Sequence, residues 1–357
     1  MKKKIVFILP RFNIWGGAEK IAHLIMNNLD YNEFDVTLVL LQNEGDLRFT
    51  LNKEVKIHLL NVSRIRYYLL KFIPYLTKNK PDIVFTGWGE VSAYISPLIP
   101  FFPKTKFIAR ETNIVSQHVT RKEIRLFYKW YNNFSKIIVQ SKDMQKDLIQ
   151  NFNVDDKKTL LINNPIDFEE IEAKLKEVKF PSEFSKEVKN VVAVGNVSYR
   201  KGFDNLLKVF SHLKEENIVL TIIGDGADMQ TFRQLKEELD LQKVQFIGRK
   251  TNPFPYLKYA DLFVLSSRYE GFPNVLLEAG ACGIYSIVNN CKGGINEIIE
   301  EGINGEIHPI EASEEFAIAI KKALDKQHDS IKIIDSIQNR YSTEIIIPKY
   351  RQLLKSL

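Results

Sequence analysis

The feature that most constrains this chain is a series of short runs of Ile, Val, Leu and Phe, separated by amphipathic stretches of helical length, that starts again near residue 190. In the first series, residues 4–10 (KIVFILP), 35–41 (DVTLVLL), 56–62 (KIHLLNV), 82–88 (DIVFTGW), 106–110 (KFIAR), 136–141 (KIIVQS) and 159–164 (TLLINN) read as strands. Runs this short and this continuously apolar suit strands buried on both faces, and segments such as 18–29 and 122–133 supply helices to cover them. The second series runs through 190–196 (NVVAVGN), 218–226 (IVLTIIGDG), 244–248 (VQFIG), 262–267 (LFVLSS) and 285–290 (YSIVNN). Strands alternating with helices predict parallel, doubly wound sheets, so the expected class is α/β with two Rossmann-like domains. The expected boundaries are 1–165 for the first domain, 166–189 for a charged connection containing Pro181, and 190–342 for the second. Residues 343–357 read as a terminal helix that packs back on the first domain. A length of 357 residues fits two cores better than one. Sheets of this kind bind ligands beyond the carboxyl ends of their strands, so a cleft between the domains is the default site.

Composition narrows the class further. Hydrophobic residues make up 45% and charged residues 26%, which is ordinary for a folded globular chain. Only Cys282 and Cys291 are present, too few for a disulfide scaffold and too far from any His cluster for a zinc site, which points to a reducing compartment. The apolar run after Lys4 is about six residues long before Arg11, short of a signal-peptide core, and no stretch approaches a membrane span of ~20 apolar residues. The expectation is a cytoplasmic protein, peripheral at most on the inner face of the cell membrane. The net charge of +6 is uneven: residues 1–180 hold 28 Lys and Arg against 20 Asp and Glu, and the remainder holds 22 against 24. Between Glu54 and Asp82 lie Lys56, Arg64, Arg66, Lys71, Lys78 and Lys80 and no acid. An anionic partner is therefore expected on the first half. No nucleic-acid motif accompanies the charge, so nucleic acid is not expected.

The densest chemistry lies in residues 266–283, SSRYEGFPNVLLEAGACG. A buried strand ends near Ser267, Gly271 and Pro273 mark a turn, and a helix is predicted to start near Asn274. Glu270 then lies in the loop above the helix and Glu278 about one turn inside it. Backbone N–H groups at Asn274 to Leu276 and the positive end of the helix dipole suit a diphosphate. Carboxylates at Glu270 and Glu278 suit hydroxyl groups of a sugar and a ribose, although acids near a helix amino end also complement its dipole with no ligand at all. Upstream, Arg200 and Lys201 occupy a strand-to-helix turn from which cations reach ligand phosphates. The GDG at 224–226 does not extend into the dinucleotide fingerprint, which weighs against a dehydrogenase.

Taken in order, WGGAEK (15–20), VGNVSYRKG (194–202), FIG (246–248), EGFPNVLLEAGACG (270–283) and GGINEIIEEGINGEI (293–307) resemble the motif series of the retaining GT-B glycosyltransferases of family 4. Glu270 and Glu278 form its E-x7-E pair, and the resemblance covers nearly the whole chain. It implies that Lys201 holds the donor phosphates and offsets charge on the leaving diphosphate, and that Glu270 and Glu278 take the donor sugar and the ribose. It implies backbone donors along Gly271, Phe272, Asn274, Val275 and Leu276, a phosphate-side loop at Gly16 and Gly17, and a nucleobase-side loop at Gly248 and Arg249. Asn196 departs from the pattern by standing where the family has an Arg, and Arg200 is the candidate substitute. ARETN (109–113) replaces a segment that often carries a His, making Arg110 and Glu111 candidates for the acceptor side, with His118 read as a surface residue. Ile295 stands where a Pro is usual.

The resemblance implies transfer with retention from a nucleotide-sugar, expected to be a UDP-sugar, with no metal or other cofactor; no D-x-D pair is found at a strand end. Residues 64–76 (RIRYYLLKFIPYL) and 94–107 (YISPLIPFFPKTKF) combine aromatics and Leu with cations and no acid. They suit an anionic membrane surface, or equally core helices with solvated cations, and the expected acceptor is a lipid-linked glycan or oligosaccharide in surface-polysaccharide assembly. Two alternatives share the fold: a UDP-sugar epimerase-like isomerase, and an inactive nucleotide-sugar-binding subunit.

Overall fold

In the computed structural model, residues 2–13, 16–176 and 178–357 are described, and they form two compact units, one of residues 1–165 and 344–357 and one of residues 166–343. The first unit is built on β1 (Lys3–Leu9), β2 (Phe34–Leu40), β3 (Lys56–Leu59), β4 (Ile83–Thr86), β5 (Lys106–Arg110), β6 (Lys136–Val139) and β7 (Thr159–Leu161). These make one sheet in the order β3-β2-β1-β4-β5-β6-β7, parallel throughout, with Ile5 opposite both Val36 and Ile83. The central strands are apolar on both faces because helices cover both, so Ile5 to Leu9 and Ile83 to Phe85 are all buried.

The closing helix, Thr343–Ser356, belongs to this unit although it lies at the far end of the sequence. Ile346, Ile347, Tyr350, Leu353 and Leu354 are buried in the same apolar cluster as Ile5, Phe7, Val36 and Phe85. Burying such side chains contributes about 1.5–3 kcal/mol each. Lys3 Nζ donates to the carbonyls of Leu354 and Lys355, both at 3.0 Å, and so fixes the last turn.

The second unit repeats the pattern with β8 (Lys189–Val194), β9 (Ile218–Ile223), β10 (Val244–Phe246), β11 (Leu262–Leu265), β12 (Ser286–Asn289) and β13 (Gly305–His308). Its sheet order is β10-β9-β8-β11-β12-β13, again all parallel. The order reverses between β8 and β11, which are neighbours, so the loops that follow these two strands leave the same edge of the sheet side by side.

Three local expectations change. Residues 166–189, read as a connection, fall inside the second unit and contain the helix Phe168–Leu175. The Asp167 side chain caps it by accepting from Glu170 N at 2.9 Å, and Phe168 and Ile171 are buried with Phe254 and Phe263. The helix expected over 122–133 is α-helical only through Lys122–Phe127 and tightens to a 3₁₀ form over Tyr128–Asn133. Within 64–76, Tyr68, Phe72 and Leu76 are core residues, leaving Tyr67 and Leu70 exposed; Phe101 is exposed in the second aromatic stretch. Among the described residues no helix is long and apolar enough to cross a membrane.

Candidate active site

The chain leaves β8 through Gly195 and Asn196, makes a short 3₁₀ turn at Tyr199–Lys201, and enters the helix Phe203–Ser211. Beside it the chain leaves β11 through Ser266 and Ser267, passes Glu270, and enters the helix Asn274–Ala281. The two loops bring Lys201 and Glu270 together from 69 residues apart. Lys201 Nζ lies 2.6 Å from Glu270 Oε1, and an Arg200 guanidinium nitrogen lies 2.6 Å from Glu270 Oε2. Ser267 Oγ donates to Oε1 at 2.7 Å, so both carboxylate oxygens are engaged.

This cluster is buried, with Lys201 8% and Glu270 4% exposed, and two cations face one anion. Burial alone would push the Glu270 carboxyl up, but the charges of Lys201 and Arg200 with the hydrogen bonds of Lys201 and Ser267 outweigh it and hold the group down at about 2. Burial pushes the Lys201 ammonium below the usual lysine range against the pull of Glu270, and neighbouring Arg200 adds to the lowering. Two positive charges on one carboxylate leave a net positive site with room in its charge balance for a further anion. The loop is set by backbone: Glu270 N donates to Lys292 O at 3.0 Å, and Gly293 sits at φ +134°, where a Cβ would fall 2.3 Å from the Glu270 carbonyl oxygen. Only glycine fits there.

The remaining candidates of the second unit lie in the same two loops, in the helix Asn274–Ala281 and in the loop after β10. The helix carrying Glu278 begins at Asn274 with no side chain capping its amino end. The N–H of Leu276, read as a ligand donor, is taken by the Pro273 carbonyl at 3.0 Å, because the first turn closes on itself. Phe272 is buried and meets Tyr341 edge-on with ring centroids 5.5 Å apart, which makes its ring part of the core. Gly271 accepts from Gly294 N at 2.9 Å. Val275 and Glu278 are partly exposed. Asn196 is exposed and its carbonyl accepts from Ser198 Oγ at 3.2 Å. Gly248, at φ +73°, and exposed Arg249 follow β10, two strands from β8.

In the first unit, Gly16 precedes the helix Gly17–Asn27, while Trp15 lies outside the described residues. The sequence reading passed over Glu19, whose carboxylate folds back over Gly16: a Cβ there would fall 1.9 Å from Glu19 Oε2. Glu19 is 1% exposed and burial raises its carboxyl, with its own backbone hydrogen bond and Arg11 working against the shift. Arg110 is 2% exposed and points into the unit, donating to Asn164 and, at 3.3 Å, to the Tyr350 hydroxyl. Glu111 is equally buried and accepts from the hydroxyls of Tyr131 and Tyr128. His118 is exposed. Ser267 and the Arg268–Asp204 pair were also missed; Ser267 could have been found as a hydroxyl three residues before a buried acid, whereas nothing in the sequence pairs residues 204 and 268.

Two family models match, "Glycosyltransferase Family 4" over residues 15–170 and "Glycosyl transferases group 1" over residues 175–340. The chain is 24% identical to the amylovoran biosynthesis glycosyltransferase AmsD of Erwinia amylovora, over 98% of this chain and 99% of the relative. It is 25% identical, over 87% of each, to the N-acetylgalactosamine-N,N'-diacetylbacillosaminyl-diphospho-undecaprenol 4-alpha-N-acetylgalactosaminyltransferase of Campylobacter jejuni. Among solved structures, HepE of Anabaena in complex with UDP and glucose superposes with a TM-score of 0.82 at 19% identity, covering 99% of this chain and 100% of that one. With both halves matched in order, two Rossmann-like parallel sheets and relatives named as glycosyltransferases over their full length, the chain belongs to the family-4 glycosyltransferases of GT-B fold.

Proposed function

We propose that this glycosyltransferase moves a sugar from a UDP-sugar onto a lipid-linked or oligosaccharide acceptor, with retention of configuration, in cell-surface polysaccharide or lipopolysaccharide assembly. The observation that carries the donor side is the convergence of Lys201 and Arg200 on Glu270 beyond the carboxyl ends of β8 and β11. In this reading the donor diphosphate draws on Lys201 and Arg200, with Arg200 supplying the charge that Asn196 lacks. Glu270, pinned as an anion, accepts hydrogen bonds from donor-sugar hydroxyls, Glu278 from the ribose, and the loop at Gly248 and Arg249 lies on the nucleobase side. Gly16 and Gly17 remain the phosphate-side residues of the first unit in this proposal. Solved relatives that bind UDP and UDP-glucose support the nucleotide.

Departure of the sugar leaves negative charge on the diphosphate, and a fixed ammonium and guanidinium stabilise that charge without reorganising. The acceptor hydroxyl attacks on the leaving-group face and its proton passes to the departing phosphate oxygen. Glu270 therefore orients and stabilises. The two cations perform the charge neutralisation, so the reading calls for no metal or other cofactor. For the acceptor, relatives that act on undecaprenol-linked glycans support a lipid-linked substrate. Exposed Tyr67, Leu70 and Phe101, with Arg64, Arg66, Lys71 and Lys104 exposed in the same two segments, suit an anionic membrane surface on the cytoplasmic side. Glu111 and Arg110 remain the acceptor-side residues of the proposal.

A panel of UDP-, GDP- and ADP-sugars screened by thermal shift tests the donor assignment. A rise in melting temperature with UDP-sugars above the other nucleotides is expected; no response to any UDP-sugar would refute it.

A further inference from the structure

Arg200 and Lys201 are adjacent like charges aimed at one carboxylate, an arrangement that repels itself. The 3₁₀ turn that carries them spans three residues, has no side-chain cap, and holds itself by two backbone bonds, Lys201 N to Ser198 O at 2.9 Å and Gly202 N to Tyr199 O at 3.2 Å. What fixes it comes from outside. The three successive carbonyls of the turn are each bound from the segment that follows β11: Tyr199 O by an Arg268 guanidinium nitrogen at 2.6 Å, Arg200 O by Arg268 N at 2.8 Å, and Lys201 O by Ser266 Oγ at 2.8 Å. The same guanidinium grips Asp204, in the first turn of the next helix, through two bonds of 2.8 and 2.6 Å. It also lies over the Tyr199 ring at 4.0 Å from the centroid.

We propose that Arg268 is a positioning residue for glycosyl transfer, clamping the turn at both ends so that Arg200 and Lys201 stay converged when a donor diphosphate enters. The proposal rests on the donor-site reading given above. Arg268 has its charge matched by Asp204, so it adds no repulsion to the site and acts on the turn's backbone. A planar two-pronged donor is required: one nitrogen serves both Asp204 and the Tyr199 carbonyl while the other completes the pair, a fork that an ammonium cannot reproduce. The clamp also ties together two segments that are 64 residues apart in sequence and hold the two halves of the charge cluster. Holding them in register before the ligand arrives removes an ordering cost from binding.

The test uses the full chain with two probes, UDP for equilibrium binding and UDP release from UDP-sugars in the absence of acceptor for turnover. Arg268→Ala is expected to weaken UDP binding about 10-fold and slow UDP release about 10- to 100-fold. Arg268→Lys, which keeps the charge and most of the packing, should recover little of either and covers the case in which the alanine variant does not fold. In a Lys201→Ala background the further loss from Arg268 replacement should shrink to about 3-fold or less, because effects passing through one group are not additive. Rates within 2-fold of native for Arg268→Lys, or the same fold loss with and without Lys201, overturn the clamp alone. A Lys201→Ala chain that binds UDP and releases it at native levels overturns the donor site, and the clamp falls with it.

Discussion

Glu111 and Glu270 each follow a central strand at its carboxyl end, β5 in one unit and β11 in the other, and each is almost completely buried. Their company differs. Burial pushes the Glu111 carboxyl up to about 7; the neutral hydroxyls of Tyr131 and Tyr128, and more weakly the charge of Arg110, only partly oppose it, while Asp147 adds a like charge. Burial acts on Glu270 in the same direction, yet Lys201 and Arg200 reverse it and hold the group at about 2. Equal burial therefore gives one acid that exchanges its proton near neutrality and one that remains an anion throughout the physiological range. Tyrosines stabilise a carboxylate by hydrogen bonding alone, whereas cations add a Coulomb attraction that grows as water is excluded.

The largest expected effect breaks the cationic side of this contrast. Lys201→Ala should lower UDP-sugar turnover by roughly 10²–10³-fold, the usual loss on removing one preorganised stabiliser of developing charge. Glu270→Ala should fall by a similar factor with circular dichroism unchanged. Near-native rates in both variants, measured by UDP release, would show that the pair is structural.

The second test sharpens the tyrosine side. A carboxyl raised in the fold from 4.5 to about 7 contributes stability that is fully present below 4.5 and is lost as the pH rises through 7. On the order of 3 kcal/mol should disappear across that window, and urea titrations of Glu111→Gln should lack this slope. Glu270 has the opposite sign: lowered from 4.5 to about 2, its contribution is present above 4.5 and is lost as the pH falls through 2. An unchanged neutral-range slope in Glu111→Gln would assign the titration elsewhere.

The smallest effect per group concerns the surfaces. The cation-rich segment of residues 56–80 should shift flotation toward vesicles containing phosphatidylserine over neutral ones, by about 1 kcal/mol per Lys or Arg at the surface. Equal flotation with both, or none with either, removes membrane contact from the proposal.

The sheets were legible because their strands are continuous apolar runs flanked by turn residues, as in KIVFILP and LFVLSS. Strand β13 was not: its residues, GEIH, alternate polar and apolar at an edge where only one face needs to be buried. The helix Phe168–Leu175 was hidden by its charges, although Asp167 followed by Glu169 and Glu170 is a helix-start signal. Motif spacing brought Lys201, Glu270 and Glu278 to notice. It could not show that Lys201 and Glu270 bond to each other, since that contact depends on β8 and β11 being neighbours. Arg268 is invisible for the same reason, as are the bonds from Arg110 to Asn164 and to the Tyr350 hydroxyl, which join residues far apart in sequence.

The return of the Thr343–Ser356 helix to the first unit has a consequence for biosynthesis. A chain emerging from the ribosome usually completes its leading domain first. Here the core around Ile5 and Phe85 lacks Ile346, Tyr350 and Leu354 until residues 344–357 are made, whereas the second unit is continuous from Ile166 to Thr343. The domain that is translated first is thus the last to close its core, and a chain halted near residue 342 would carry a finished second unit beside an unsealed first one.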